Sequence, residues 1–114
     1  MTKLYGIRNC DACRNAMKWL TDHCVEYEFI DIRNDGMDEK ALMRWQKLLG
    51  WEALLNKRSM TWRNISEIER SDLDSTKARH LILRHPTVMK RPVLDSGSGL
   101  ALGFDESKYK NLDL

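Results

Sequence analysis

Apolar and polar positions along the chain fall into a definite succession of periodicities. Lys3-Leu-Tyr-Gly-Ile7 is a short, mostly apolar run that predicts a strand, and it leads into the turn-forming stretch Arg8-Asn9-Cys10-Asp11. Cys13, Ala16, Met17, Leu20 and Cys24 then recur at i, i+3, i+4, i+7 spacing, the signature of a helix with one buried face. On this pattern Cys24 packs at the far end of that helix. Val25, Tyr27 and Phe29 alternate with Glu26 and Glu28, and the apolar character runs on from Ile30 to Ile32, which predicts a second strand.

Asn34-Asp35-Gly36 breaks the chain, and Asp38 stands where it can cap a helix carrying Leu42, Trp45, Leu48 and Leu49 inward, stopped by Gly50. Trp51 to Leu55 adds another turn. Ser66 and Glu69 have capping-box spacing. Asp74 can cap a further helix that turns Ala78, Leu81 and Ile82 inward and ends near His85-Pro86. Beyond Arg91-Pro92 the pattern changes. Pro92-Val-Leu94 and Leu100-Ala-Leu102 flank the glycine-rich turn Asp95-Ser-Gly-Ser-Gly99 and read as a hairpin, after which Asp105 caps a last short helix reaching Leu112. The order is β-α-β, several helices, then β-β-α, with no repeat or linker. A β-α-β start with a cysteine in its first turn is the opening of a thioredoxin-like fold, so the expected class is α/β.

The length of 114 residues suits one compact domain, expected to span 1–114. No apolar run approaches the roughly 20 residues of a membrane helix, and Met-Thr-Lys-Leu-Tyr-Gly-Ile carries no signal-peptide pattern, so the expected location is cytoplasmic. Net charge is only +2, with 19 basic and 17 acidic residues interleaved. That balance argues against a nucleic-acid partner, which calls for a clustered basic face. Three cysteines without a leader make a poor disulfide scaffold. One Cys-x-x-Cys, one stray cysteine and three scattered histidines do not supply a zinc ligand set, and no metal is expected.

The candidate chemistry centres on Cys10. The thiolate is the nucleophilic form of cysteine, and unpaired amides at a helix N-terminus stabilise it. Cys10 follows a strand and immediately precedes a helix, with Arg8 and Arg14 near in sequence as sources of positive charge. The same amides can hold an oxyanion. An inert core cysteine is the bland alternative, and a turn is a poor address for one. Cys13 admits two readings: a resolving thiol at Cys-x-x-Cys spacing, or a core residue on the inward stripe. Pro92 admits two as well: a cis proline beside the site, or a trans proline opening an edge strand. Arg58 and Arg91 lie in loop-like segments and carry the fork geometry that suits oxyanions. His23, His80 and His85 read as surface or capping residues, and the tryptophans as packing.

Several stretches together resemble the arsenate reductase (ArsC) family, and most closely its YffB-like subgroup. They are Tyr5-Gly-Ile-Arg-Asn-Cys10-Asp, Val25-Glu-Tyr-Glu-Phe29, Gly50-Trp-Glu-Ala-Leu-Leu-Asn-Lys-Arg58, Thr61-Trp-Arg63, His85-Pro86, Lys90-Arg-Pro-Val-Leu94 and Gly103-Phe104. The resemblance implies a thioredoxin-like domain with a helical insertion between the second and third strands, and catalysis by one N-terminal cysteine, here Cys10. It implies no bound cofactor and glutathione as co-substrate, with glutaredoxin as a further partner and a small-molecule or protein thiol or disulfide as substrate. Carried over by position, Asn9 and Arg14 belong to the anion loop. Arg58 matches an arginine of the oxyanion site, and Arg91 the arginine before a cis Pro92. Gly103-Phe104 stands where arsenate-reducing members carry a third arginine, which argues against arsenate. The Cys10-x-x-Cys13 pair is similar instead to the redox switch of Spx-like regulators of the same family, which bind the α subunit of RNA polymerase.

Overall fold

A computed structural model describes residues 1–114. The elements follow in the order β1 (Thr2–Gly6), α1 (Asp11–Asp22), β2 (Tyr27–Asp31), α2 (Glu39–Leu49), α3 (Trp51–Leu54), α4 (Met60–Asn64), α5 (Glu67–Arg70), α6 (Ser75–Arg84), a 3-10 turn (Pro86–Val88), β3 (Val93–Asp95), β4 (Leu100–Leu102) and α7 (Glu106–Asn111). They form two compact units, residues 1–35 with 91–114, and residues 36–90. No helix is long and apolar enough to cross a membrane.

The first unit is a four-stranded sheet in the order β2-β1-β3-β4. β1 runs parallel to β2 through the α1 crossover and antiparallel to β3, which turns back into β4. The register sets Leu4 beside Leu94 and Leu94 beside Ala101, so three apolar side chains line up across the strands on one face. Ala16, Trp19 and Leu20 of α1 and Tyr109 of α7 close over them as one core cluster. Trp19 and Phe104 meet the Tyr109 ring edge-on, at 5.4 and 5.2 Å between centroids. Asp105 caps α7 by accepting from the amides of Ser107 and Lys108. The hairpin turn is closed by Ser96 N–H to Gly99 O at 3.0 Å, with Ser96 Oγ accepting from the Gly99 amide.

The inward stripe of α1 departs from the sequence pattern at its end. Cys13, Ala16, Trp19 and Leu20 are its buried residues, and Met17 is only partly covered. Cys24 is exposed rather than packed, because the helix has stopped at Asp22 and Cys24 sits in the left-handed region at φ 56°. His23 ends the helix instead. Its ring stacks on Trp19 at 3.8 Å, and its Nδ1 lies 2.8 Å from the Trp19 carbonyl, which also accepts from the His23 N–H at 3.0 Å.

The second unit is helical. Asp38, Ser59, Ser66 and Asp74 each cap a helix by accepting from a first-turn amide. In α2 the buried residues are Leu42, Trp45 and Gln46, whereas Leu48 and Leu49, expected inward, are exposed. Gln46 is inside because both ends of its amide are satisfied: Nε2 donates to Ser75 O at 2.8 Å and Oε1 accepts from Arg79 at 3.2 Å. Leu55 bridges Met89, flanked by Asn56 N–H to Val88 O and Lys90 N–H to Leu54 O, both 2.8 Å, which ties the middle of this unit to its end.

Candidate active site

β1 ends at Gly6, and the chain turns through Arg8 and Asn9 before α1 begins at Asp11. Cys10 is therefore the N-cap of a 12-residue helix, extended at φ −121° and ψ 124°, and partly buried. Its carbonyl accepts the first helical hydrogen bond, from Arg14 N–H at 2.9 Å. Asn9 is exposed in the turn just before it.

Burial alone would raise the Cys10 pKa. It is more than offset by the backbone amide of Cys13, by the Cys13 thiol donating to the Cys10 sulfur, and by the Arg91 guanidinium, which hydrogen-bonds the sulfur and adds its charge. The net effect favours the thiolate. Arg91 precedes Pro92 across a cis peptide bond at the entry to β3. Pro92 lies beside the end of β1, since its Cβ is 3.7 Å from where a Cβ on Gly6 would stand. Cys10, Cys13, Arg91 and Pro92 are thus brought together within the first unit.

The charge that favours the thiolate does not come from Arg8 or Arg14, as sequence proximity suggests. The Arg14 guanidinium bonds to the Asp11 carboxylate and to Arg8 O. That of Arg8 lies 4.7 Å over the Phe29 ring. Arg58 belongs to the second unit, exposed in the turn before α4, with its backbone N–H on Asn56 Oδ1 at 3.1 Å. Phe104 packs on Tyr109.

Cys13 is fully buried. Burial first, and then its role as donor to Cys10, push its thiol up to about 12. Gly6 is a residue of this site that the periodicities do not single out. The only signal in the sequence is a glycine closing an otherwise apolar strand immediately before the cysteine turn.

A thioredoxin-like sheet with a cysteine at a helix N-terminus and a cis proline beside it is the architecture of a family of thiol-based reductases. The ArsC family model matches residues 5–112, and the chain belongs to the ArsC family. It is 41% identical over 110 residues to an uncharacterized protein of Haemophilus influenzae, covering 96% of each chain. It is similar to the YffB protein of known structure at 39% identity and a TM-score of 0.92, covering 96% of both chains. It is also 29% identical over 113 residues to the global transcriptional regulator Spx 2 of Bacillus cereus, covering 96% of this chain and 85% of that one.

Proposed function

We propose that this protein is a glutathione-dependent thiol–disulfide reductase with Cys10 as its nucleophile. The observation that carries this reading is the Cys10 sulfur at the α1 N-terminus, with Arg91 bonded to it and its pKa lowered. In the first step the Cys10 thiolate attacks the glutathione sulfur of a mixed disulfide R–S–S–G. The S–S bond of the mixed disulfide breaks, RS⁻ leaves and takes up a proton, and Cys10 carries glutathione in a new disulfide. A second glutathione, as thiolate, then attacks that adduct, releasing oxidised glutathione and returning the Cys10 thiolate. The net change is R–S–S–G plus glutathione to R–SH plus oxidised glutathione, so the chemistry balances without a cofactor. A reducing, cytoplasmic setting supplies the second thiol.

Asn9, Arg14 and Pro92 are the residues that family position proposes for holding the glutathione carboxylates and backbone, and Arg58 is proposed by position alone as an oxyanion arginine. Arsenate is a weaker candidate substrate. With Phe104 in place of a third arginine, one charge-assisted hydrogen bond of about 1.5–3 kcal/mol is missing from an oxyanion transition state, on the order of tenfold to a hundredfold in rate.

Steady-state assays with glutathione and a regenerating reductase, comparing a mixed glutathione disulfide with arsenate, test the reading. The expected result is turnover of the disulfide, its loss in Cys10→Ser and its retention in Cys24→Ser. Disulfide turnover that survives Cys10→Ser, or arsenate turnover of equal efficiency, overturns it. The Cys10-x-x-Cys13 spacing and the likeness to Spx 2 favour one second reading, a redox-sensing regulator. Its signature is capture of the RNA polymerase α subunit that depends on oxidation of the pair.

A further inference from the structure

Cys13 stands at the third position of α1, one turn beyond Cys10, with its sulfur lodged against the end of β1. A Cβ on residue 6 would lie 2.5 Å from Cys13 Sγ and 3.4 Å from its Cβ, distances at which something must move. Residue 6 is not free to withdraw. It pairs with Asp31 in the parallel ladder, and its carbonyl accepts from Ile32 N–H at 3.0 Å. On the other side the Pro92 Cβ closes the space. Glycine at position 6 is therefore what lets a thiol fit between strand and helix.

That slot also orients the sulfur. The Ile7 backbone amide donates to Cys13 Sγ, and the Cys13 S–H in turn donates to Cys10 Sγ. The three groups form a directed chain, from a backbone donor through a buried thiol to the reactive sulfur, in which each bond polarises the next. We propose that Cys13 is a positioning residue for the Cys10 reaction: a thiol that stays protonated in the slot left by Gly6 and donates its S–H to the Cys10 sulfur. This rests on Cys10 being the nucleophile. It gives Cys13 a role other than resolving the adduct, because attack on a Cys10 adduct requires a Cys13 thiolate. Burial, the largest influence on that thiol, disfavours its anion.

The test is the pH dependence of Cys10 alkylation by iodoacetamide in the full chain, with the exposed Cys24 changed to serine in every variant. Cys13→Ala removes the donor, Cys13→Val removes it while filling the space, and Gly6→Ala displaces the sulfur. We expect the alkylation midpoint to rise by about half to one pH unit in both Cys13 variants, a threefold to tenfold loss of rate at fixed pH below it. Gly6→Ala should raise it similarly in the presence of Cys13 and add little once Cys13 is alanine. A midpoint unmoved in Cys13→Ala, restored by valine, or raised equally by Gly6→Ala with and without Cys13 overturns the proposal. If circular dichroism shows that Gly6→Ala does not fold, the two Cys13 variants decide alone. Failure of this inference leaves Cys10 reactive in the parent protein. Failure of the proposed function would show in the turnover assays, as disulfide turnover that survives Cys10→Ser or arsenate turnover of equal efficiency.

Discussion

The Arg91 guanidinium hydrogen-bonds the Cys10 sulfur, joining the residue that opens the β3 segment to the cap of α1. β1 makes this meeting possible, because it pairs with β3 on one side and leads into the Cys10 turn at its own end. The nucleophile and its cation are thereby fixed to the same sheet.

Arg91→Ala should raise the pH midpoint of Cys10 alkylation by about one unit, a discounted value for a charge-assisted hydrogen bond at a partly exposed site. Below the midpoint that is a loss of about tenfold in rate at fixed pH. Arg91→Lys should recover only part of it, since an ammonium restores the charge without the fork. An unchanged pH–rate profile in Arg91→Ala would remove Arg91 from the site.

Stability should fall at alkaline pH through Cys13. Its folded pKa, about 12, is above the unfolded value of about 8.5, so above that value the unfolded chain releases a proton that the folded protein keeps. The stabilisation is complete below pH 8.5 and is lost progressively as pH rises toward 12. Cys10 has the opposite sign, its lowered pKa adding stability as pH rises toward 8.5. Urea unfolding from pH 8 to 10, largely below the range in which tyrosines titrate, should show a decline of about 1–2 kcal/mol that flattens in Cys13→Ala. An equally steep decline in that variant would refute the assignment.

Gln46→Leu should destabilise the protein by about 1–3 kcal/mol while leaving Cys10 alkylation unchanged. It takes a partner from Ser75 O and from Arg79, and both belong to the helical unit. Chemical denaturation alongside the alkylation rate separates the two effects. A slowed alkylation in the folded variant would contradict the expectation.

Tyr109→Phe should be neutral or stabilising by about 0.5–1 kcal/mol. The hydroxyl is buried without a hydrogen-bond partner, and burial holds it protonated beyond the ordinary tyrosine range. Tyr109→Ala should cost about 3–5 kcal/mol, because the ring fills the space between Trp19 and Phe104. Thermal unfolding of the two variants checks both values, and a destabilised phenylalanine variant would show that the hydroxyl has a partner.

Strand, turn and helix around Cys10 were legible because local periodicity and capping act over a few residues. The hairpin was legible for the same reason, through Asp95 to Gly99. Gln46 was not, since what brings it inside are Ser75 and Arg79, partners supplied by a later helix. Leu48 and Leu49 were placed wrongly by the same pattern, which extended an apolar face past the part of α2 that is covered. At the site, the cysteine-bearing turn could be read, but the source of its positive charge could not. Arg8 and Arg14 are near in sequence yet turn to Phe29 and Asp11. Arg91 is distant in sequence and arrives through the β1–β3 pairing, which the periodicities do not reveal; the family resemblance supplied only its place before a cis Pro92.

That pairing also sets the order in which the protein can be completed during synthesis. β1, α1 and β2 emerge first and form a parallel unit with Cys10 already at its helix end. β1 remains an open edge until β3 arrives, and the whole helical unit of residues 36–90 is made in the interval. Newly made chains thus pass through a stage in which the cysteine is present and Arg91 is still inside the ribosome. Such chains carry Cys10 without the Arg91 guanidinium, one of the groups that lower its pKa once the sheet is complete.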